Sequence, residues 1–252
     1  MSILDAIIQG VVQGLTEFLP VSSSGHLAIT QHILGAGTGE SNLFFNVMLH
    51  VGTLVAVVAF YHKLVWDLIK EFFLMLKDIF TGKFKWSKMN YNRNLVVMLI
   101  IGLIPLFLLF LPIPGTDMKL KDLADLLSAS PVLIVTACSL ILTSVLLTIG
   151  IIRNRKSVAS THKHLASKSN AKATRDSFNV VDAILVGVTQ VCAALLPGLS
   201  RSGSTLAVGE MRGISKQKAL DYTFVLGIPS ILAAALLEGV DAIKSPEGLS
   251  NI

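Results

Sequence analysis

The chain has 252 residues, of which 52% are hydrophobic and 15% are charged, and its mean hydropathy is +0.69. Soluble domains carry about 25% charged residues, so this composition excludes an ordinary soluble protein and predicts an all-α protein that crosses a membrane several times. The net charge of +5 lies mainly between the apolar segments, where it sets topology, so nucleic acid is not an expected partner.

The N-terminus and the two cysteines give further information about this membrane protein. The N-terminus has neither a basic segment nor a small-residue cleavage pattern, so no cleaved signal peptide is expected. Cys138 and Cys192 both lie inside apolar segments. We interpret them as small core residues, because their spacing and setting suggest neither a metal site nor a disulfide.

Residues 3 to 20 form a short apolar segment in which polar side chains recur every four residues. These side chains are Asp5, Gln9, Gln13 and Glu17. A helix places all four on one face, and Pro20 would end that helix. A span that faces lipid would not carry such a stripe. We therefore expect a helix that faces a polar cavity, or a re-entrant helix whose return is formed by residues 21 to 42.

Later apolar segments have about the length needed to cross a hydrocarbon core of about 30 Å. They cover residues 43–60, 95–112, 131–152 and 222–238. In the first of them, His50 and Asn46 are expected to face inward, and Pro105 is expected to kink the second. Residues 179–197 form a further apolar segment that contains polar residues.

The connecting segments differ in charge. Residues 62–93 contain seven Lys or Arg and three acidic residues, and their alternation with apolar residues predicts an amphipathic helix on the membrane surface. Residues 153–175 contain seven Lys or Arg and no acid, which indicates a flexible basic loop. Basic loops remain in the cytoplasm, so the short loop expected at residues 113–130 should lie outside.

An internal repeat links the two halves of the chain at a constant separation of 177 positions. The matching pairs are Asp5/Asp182, Ala6/Ala183, Ile7/Ile184, Gly10/Gly187, Val11/Val188, Gln13/Gln190, Leu19/Leu196, Pro20/Pro197 and Ser23/Ser200. The span after the first copy is expected to run inward and the span after the second outward. We therefore predict one integral membrane domain over residues 1–252 with an inverted-topology repeat, about 1–112 and about 131–252, in which two re-entrant helix-loop-helix segments meet at a site.

The loop of the first repeat carries groups that suit hydrolysis. Ser22, Ser23 and Ser24 are candidate nucleophiles, and His26 is a candidate general acid or base near neutral pH. Glu17 could hold a metal ion or activate a nucleophile. Taken singly, each residue has a structural alternative, such as a helix-capping serine or a helix-end acid.

The loop of the second repeat, Ser200 to Thr205, carries groups that suit phosphate. Arg201 offers a planar fork of donors for phosphate oxygens, and Ser200 and Ser202 offer hydroxyls. Backbone N–H groups around Gly203, at the start of a helix, would add a phosphate cradle. A capped turn with an interfacial arginine is the structural alternative.

The two loops also resemble a known family. Residues 17–26 (EFLPVSSSGH) and 197–205 (PGLSRSGST) are similar to the two signature motifs of bacterial undecaprenyl-diphosphate phosphatase of the bacitracin-resistance type. The similarity extends to the His50-Val51-Gly52 segment and to the span from Phe224 to Pro229. The resemblance implies a multi-pass enzyme of the bacterial inner membrane that opens to the outer side. It would convert undecaprenyl diphosphate to the monophosphate carrier lipid of peptidoglycan synthesis.

The resemblance also implies roles for individual residues, a divalent metal ion (Mg²⁺ or Ca²⁺) and a homodimer. The implied catalytic residues are Glu17, Ser23, His26 and Arg201; the implied substrate-binding residues are Gln13, Ser22, Ser24, Ser200, Ser202, Gly203 and Thr205; and the implied metal ligand is Glu17. Gln13 stands where the family motif allows Glu or Gln, so one carboxylate remains and a metal held by two acids is disfavoured. Members of the family continue through further spans, so the second repeat is expected to be truncated at its C-terminal end.

Three other functions are compatible with parts of the sequence. An inverted-repeat transporter or flippase of a polyprenyl phosphate lipid would need Arg201 but not Ser23 with His26. Another class of membrane lipid phosphatase shares the Ser24-Gly25-His26 string, but it needs a later histidine, and no histidine follows His164. A purely structural subunit would not need this density of polar groups.

Overall fold

A computed structural model describes residues 2–35, 40–86, 89–116, 118–129, 133–165 and 175–244. Throughout these ranges the regular elements are helices, and β-pairing is limited to two isolated bridges, Pro112–Lys119 and Arg175–Ile214. The helices are α1 (Ile3–Phe18), α2 (Ser23–Ile33), α3 (Glu40–Phe60), α4 (His62–Phe80), α5 (Tyr91–Leu103), a 3-10 segment (Ile104–Phe110), α6 (Leu120–Ala129), α7 (Leu133–Leu165), α8 (Val180–Leu195), α9 (Arg201–Met211) and α10 (Lys216–Lys244).

The helices that could cross a membrane confirm the prediction of an all-α, multi-pass protein. Within the described ranges, three helical stretches are long and apolar enough to do so: Tyr91–Phe110, Leu133–Arg155 and Lys216–Leu237. Helices α3 and α4 are bent by 85° at their junction and together form a broken span or a re-entrant loop. No more than a third of each of the three spans is buried within the protein, so their apolar outer faces are free to contact lipid.

The internal repeat is also present in the secondary structure. Helix α8 begins 177 residues after α1, as the sequence match requires, and both have 16 residues. Each begins with a capping box, formed by Ser2 with Asp5 in α1 and by Asn179 with Asp182 in α8. Each is followed by an 11-residue helix, α2 or α9, and then by a long one, α3 or α10. The opposite orientation of the two copies in the membrane stays a prediction.

Helices α5, α8 and α10 pack against one another in the hydrophobic core. The hydroxyl of Tyr222 on α10 donates to the carbonyl of Met98 on α5 at 2.7 Å. Gly187 on α8 has no side chain at the crossing with α5, where a Cβ would lie 2.5 Å from the carbonyl oxygen of Gly102. The backbones can therefore approach closely, and Gln190 donates to that same carbonyl at 3.1 Å.

Two arginines fix the start of α8 to the end of α9. The carboxylate of Asp182 is fully buried and accepts from Nε of Arg212 at 2.7 Å and from Nη2 of Arg175 at 2.9 Å. Arg175 also donates to the carbonyl of Arg212, and its backbone pairs with Ile214. The second re-entrant segment is therefore closed at its base by a charged cluster, whereas Asp5 has no arginine partner among the described residues.

Several expectations about individual segments are wrong. Residues 113–130 are not simply a loop, because α6 occupies their second half. Helix α7 continues to Leu165, so the first part of the expected basic loop is helical; Lys, Arg and Ala favour helix, and the helix can extend beyond the apolar layer. The rest of that loop, residues 166–174, lies outside the described ranges.

The two cysteines are also placed differently from the expectation. Cys138 on α7 and Cys192 on α8 are both exposed on the protein surface rather than packed in its core. Both lie on apolar helices, and a thiol is apolar enough for a surface that faces lipid.

Candidate active site

The first re-entrant loop turns sharply between α1 and α2. Helix α1 ends at Phe18, and Pro20 prevents its continuation. Ser22 then caps α2, with its hydroxyl accepting from the N–H of Gly25 at 3.2 Å. Ser22 has φ = 73°, a left-handed conformation that is costly for a residue with a side chain. Such strain persists where the surroundings enforce it, as at functional sites, and here it presents Ser23 to the end of α1.

The second re-entrant loop repeats this construction and touches the first. Ser200 caps α9, with its hydroxyl accepting from the N–H of Gly203 at 2.9 Å. A Cβ on Gly203 would lie only 2.7 Å from the carbonyl oxygen of Pro20 in the other loop. Glycine at this position therefore allows the two loops to meet and places the starts of α2 and α9 side by side.

Glu17, at the end of α1, connects the two loops. Its Oε2 accepts from the Ser23 hydroxyl at 2.5 Å and from Nε2 of Gln13 at 3.1 Å. Its Oε1 accepts from Nη2 of Arg201 at 3.2 Å, across 184 residues of sequence. Glu17 is only 7% exposed, so the carboxylate is nearly removed from solvent and is compensated by these donors. The carboxylate thus contacts the nucleophile candidate and the arginine at the same time.

Helix α10 holds Arg201 from the other side. Nη1 of Arg201 donates to the hydroxyl of Ser230 at 2.7 Å and to the carbonyl of Gly227 at 3.4 Å. A Cβ on Gly227 would lie 3.3 Å from Nη2, so glycine leaves room for the guanidinium. Because a guanidinium has five N–H donors, two of them have no partner within the described part of the chain. Those donors are available to an anion.

These groups line a cavity of about 490 Å³ whose lining is divided between polar and apolar side chains. Most of the apolar ones come from the 3-10 segment, α8 and α10. The larger of them are Leu106, Leu109, Phe110, Ile231 and Leu237. The cavity can therefore take a ligand with a charged head and a hydrocarbon tail.

The structure brings most of the predicted site residues to this cavity. Those that line it are Glu17, Ser22, Ser23, Ser24, Ser200, Arg201 and Ser202. Ser22 and Ser24 lie within 3.3 Å of each other, and Ser200 and Ser202 within 3.4 Å, measured between hydroxyl oxygens. The chemical roles of these residues stay predictions.

Four predicted residues are not among the cavity-lining residues. Gln13 is buried behind Glu17, and Gly203 lies at the loop contact. Thr205 is 3% exposed and donates to the carbonyl of Arg201 at 2.8 Å. His26 uses Nδ1–H to donate to the carbonyl of Ser22 at 2.7 Å, because a carbonyl can only accept. Each supports a loop residue from behind.

The cavity also contains residues that were not assigned to the site from the sequence. Ser230 holds Arg201, Lys121 lines the wall from α6, and His50 and Asn46 line it from α3. The inward orientation predicted for His50 and Asn46 is confirmed. A single serine within the apolar run from Val225 to Leu237 was a usable signal for Ser230, because an isolated hydroxyl in a span generally has a partner inside the protein.

The side-chain oxygens near Glu17 fit a hard divalent cation. No group of three His, Cys, Asp or Glu side chains able to hold a metal occurs in the described ranges. However, Nε2 of Gln13 contacts the carboxylate of Glu17, and Oε1 of the same amide is buried without a hydrogen-bond partner among the described residues. Mg²⁺ is commonly held by one or two carboxylates together with phosphate oxygens of the substrate, and Glu17 offers one carboxylate here.

Comparison with known proteins identifies the family. A family model described as bacitracin resistance protein BacA matches residues 6–251. An undecaprenyl-diphosphatase of Alkaliphilus metalliredigens is 38% identical over 97% of this chain and 79% of its own length. Proteins with the same name from Bacteroides thetaiotaomicron (35% identical; 100% and 81% covered) and Methanobrevibacter smithii (36% identical; 94% and 76% covered) are also similar. The chain therefore belongs to the bacitracin resistance protein BacA family.

Proposed function

We propose that the protein hydrolyses undecaprenyl diphosphate, releasing its terminal phosphate and leaving undecaprenyl phosphate, the lipid carrier of cell-wall synthesis. The names of the curated relatives support this reaction. The observation that carries it is the contact of one carboxylate, Glu17, with both Ser23 and Arg201 inside a cavity that has an apolar wall. A polyprenyl diphosphate has a charged head that suits the polar lining residues and a hydrocarbon tail that suits the apolar ones.

The diphosphate binds at the starts of α2 and α9. Two N–H donors of Arg201 point to the phosphate oxygens as a fork, a geometry that suits an oxyanion better than a point charge does. The Ser200 and Ser202 hydroxyls add donors, and the two helix starts favour negative charge. The negative charge of the diphosphate is therefore neutralised before the reaction begins.

Ser23 attacks the terminal phosphorus. As its oxygen forms the new P–O bond, its proton passes to Oε2 of Glu17, which already accepts that hydrogen bond at 2.5 Å. The bond between phosphorus and the bridging oxygen breaks, and that oxygen leaves as part of undecaprenyl phosphate. Arg201 stabilises the charge on the transferred phosphoryl group. The Arg201 contact to Oε1 also keeps the carboxylate in the orientation that receives the proton.

Water then regenerates Ser23. Glu17 delivers the proton to the serine oxygen while a water molecule attacks phosphorus, and inorganic phosphate leaves. His26 acts as a positioning residue in both halves, because its Nδ1–H holds the carbonyl of Ser22 and with it the strained turn that presents Ser23.

A divalent cation, Mg²⁺ or Ca²⁺, would be held by the carboxylate of Glu17 and the unpartnered Oε1 of Gln13, and would supply further positive charge to the diphosphate oxygens. Gln13 itself orients Glu17, since its Nε2 donates to Oε2. The amide of Gln13 is neutral, so Glu17 remains the single proton acceptor of the pair.

The polyprenyl tail lies along the apolar wall formed by Leu106, Leu109 and Leu237 and leaves toward lipid. From the family resemblance, we also propose that the cavity opens to the outer side of the bacterial inner membrane and that the protein forms a homodimer. Transport of the same lipid would require Arg201 but no hydrogen bond between a serine and a carboxylate, so the Ser23–Glu17 contact favours hydrolysis over transport.

Product analysis tests the reaction. The purified full chain in detergent, supplied with a polyprenyl diphosphate and Mg²⁺, should yield equal amounts of polyprenyl monophosphate and inorganic phosphate. Chelation should lower the rate, and readdition of the cation should restore it. A substrate that remains intact under all conditions would refute hydrolysis and favour a carrier.

A further inference from the structure

We propose that α4 and an apolar groove beside it bind an anionic phospholipid, with the lipid phosphate on the lysines of α4 and one acyl chain in the groove. The groove lies between α4, α5 and α10. It shares no lining residue with the cavity that contains Glu17 and Arg201, and the proposed reaction uses neither the groove nor α4. This lipid site is therefore separate from the site of hydrolysis.

The contacts between α4 and α5 indicate that α4 lies along the membrane boundary. Arg93, in the first turn of the span Tyr91–Phe110, contacts Glu71 at 3.2 Å and Asp78 at 2.7 Å on one flank of α4. Residues of α5 farther along the span line the groove together with apolar residues on the other flank of α4. Helix α4 is also bent by 85° from α3. Its charged flank therefore faces water, and its apolar flank faces hydrocarbon.

A row of lysines follows the exposed face of α4. Lys63, Lys70 and Lys77 recur every seven residues, which places them on one side of the helix, and all three are exposed. Lys63 and Lys77 have no ion pair in the described part of the chain, and Lys70 has a contact of 3.8 Å with exposed Asp67. The other two acidic residues of α4 are paired with α5. The lysine row therefore carries net positive charge, which attracts anionic headgroups.

An aromatic row runs beside the lysine row. Trp66, Phe73 and Phe80 also recur every seven residues, and all three side chains are exposed. Nζ of Lys70 lies 5.4 Å from the centre of the Trp66 ring, so the two rows are in contact. Tryptophan is enriched where headgroups meet hydrocarbon, and lysine can extend from that level to the phosphates. The two rows therefore place the lipid phosphates at the lysines and the acyl chains on the aromatic side.

The groove provides space for one acyl chain. Its volume is about 320 Å³ and all of its lining residues are apolar, among them Ile69, Phe73, Leu99, Ile100, Ile228 and Pro229. Phe73 lies one helical turn after Lys70, so a lipid whose phosphate contacts this lysine can place a chain in the groove. A zwitterionic phospholipid could fill the same groove, but it lacks the net negative charge that the lysine row favours. The site is therefore assigned to an anionic phospholipid.

The test measures quenching of Trp66 fluorescence by brominated lipids. The chain has two tryptophans, so Trp86→Phe leaves Trp66 as the single reporter. The full chain with this change is reconstituted in phosphatidylcholine vesicles that contain dibrominated phosphatidylglycerol or dibrominated phosphatidylcholine. The dependence of quenching on the fraction of brominated lipid gives the relative affinity of the two lipids for the surface around Trp66. This readout does not depend on hydrolysis, so it can fail while the proposed function stands.

Two double variants test the charge. Lys63→Gln with Lys70→Gln removes two charges from the lysine row, and the matched control, Lys119→Gln with Lys216→Gln, removes two charges from exposed residues outside α4. We expect the reporter protein to prefer phosphatidylglycerol by about tenfold, the lysine-row variant to bind both lipids within about twofold, and the control to keep the preference. Equal affinities of the two lipids in the reporter protein, or equal losses in both double variants, would overturn the inference.

A second pair of variants tests the groove. Ile100→Phe places a larger side chain in the groove, and Ile104→Phe is the control, because Ile104 is also exposed on the same span but does not line the groove. Quenching by both brominated lipids should fall in Ile100→Phe and not in Ile104→Phe; equal quenching in the two would overturn the chain placement. Unlabelled phosphatidylglycerol should displace its brominated form, and equal displacement by a polyprenyl phosphate would instead assign the groove to an isoprenoid chain.

Discussion

At the scale of single residues, the site depends on which donors contact each carboxylate oxygen of Glu17. Oε2 accepts hydrogen bonds from Ser23 and Gln13, and Oε1 accepts one from Arg201. A glutamine at residue 17 would have nearly the same shape, but one of its terminal atoms would be an amide nitrogen. That nitrogen donates hydrogen bonds and cannot accept them, so the donors at that position would lose their acceptor. In the proposed reaction, the carboxylate is thus needed both to accept the Ser23 proton and to hold Arg201.

The first prediction concerns Arg201 and its support. Arg201→Ala should lower kcat/KM by about 10²–10³-fold, because the developing charge loses its main donor. Ser230→Ala should lower it by about tenfold, since the 2.7 Å contact to Nη1 is lost but the guanidinium remains. Steady-state kinetics on polyprenyl diphosphate measure both.

Thr189→Ala is the matched control, because Thr189 is not among the cavity-lining residues and its hydroxyl donates to the carbonyl of Leu185 on the same helix at 2.7 Å. Its kcat/KM should stay within a few-fold of wild type. Full activity of Arg201→Ala would disprove the assignment of the diphosphate site.

The motif residues of the site could be predicted from sequence because they are close together along the chain. Glu17 and Ser23 are six residues apart, so the helix end and the capped turn almost determine their contact. The contacts of Arg201 with Ser230 and of Glu17 with Arg201 span 29 and 184 residues. They depend on how α9 packs against α1 and α10, and no local pattern reports that packing.

At the scale of elements, the two re-entrant segments differ at their base. Asp182 is buried between two arginines, while its repeat counterpart Asp5 only caps its own helix. The second segment is therefore anchored more firmly than the first.

The second prediction compares the two aspartates. Asp182→Ala should destabilise the protein by about 2 kcal/mol and lower its Tm by about 5 °C, because two arginines lose a charged acceptor. Asp5→Ala should shift Tm much less, since it removes only a solvent-exposed cap. Thermal unfolding in one detergent compares the variants, and equal shifts would contradict the proposed difference in anchoring.

The third prediction concerns the contact between the loops. Gly203→Ala places a Cβ 2.7 Å from the carbonyl oxygen of Pro20, so the loops must separate and the rate should fall by at least about tenfold. Gly14→Ala is the control, because a Cβ there meets nothing within 4 Å. Similar rates for the two variants would show that the close approach is unimportant.

Helix existence was easier to predict than helix length. The four-residue polar stripe correctly indicated that α1 faces inward, and Gln9, Gln13 and Glu17 are buried. Helices α6 and the end of α7 were predicted as loops because their charged residues were interpreted as solvated connections. Charge excludes a segment from the hydrocarbon layer, but it does not prevent a helix from continuing in water.

At the scale of the whole molecule, the repeat organises the fold around one cavity. Helices α1 and α2 supply Glu17 and Ser23, and α9 supplies Arg201. The long helices α3 and α10, which occupy corresponding places in the two copies, both line the cavity. A site built from both copies needs each half, as in other folds made of repeated re-entrant elements.

The fourth prediction tests the topology. With Cys138 and Cys192 replaced by Ala, a cysteine at Thr116 should react with a membrane-impermeant maleimide applied to intact cells. A cysteine at Lys83 should react only after permeabilisation, because basic segments remain in the cytoplasm. The reverse labelling pattern would disprove the predicted orientation and the outward-facing cavity.

The measurement that tests the central claim most directly is the stereochemical course at phosphorus. A polyprenyl diphosphate with a terminal thiophosphoryl group made chiral by oxygen isotopes is hydrolysed in isotopically labelled water. Each in-line displacement inverts the configuration. Attack by Ser23 followed by attack of water therefore predicts overall retention, and Ser23→Ala should form no product. Overall inversion would show that water attacks directly and would contradict the role assigned here to Ser23.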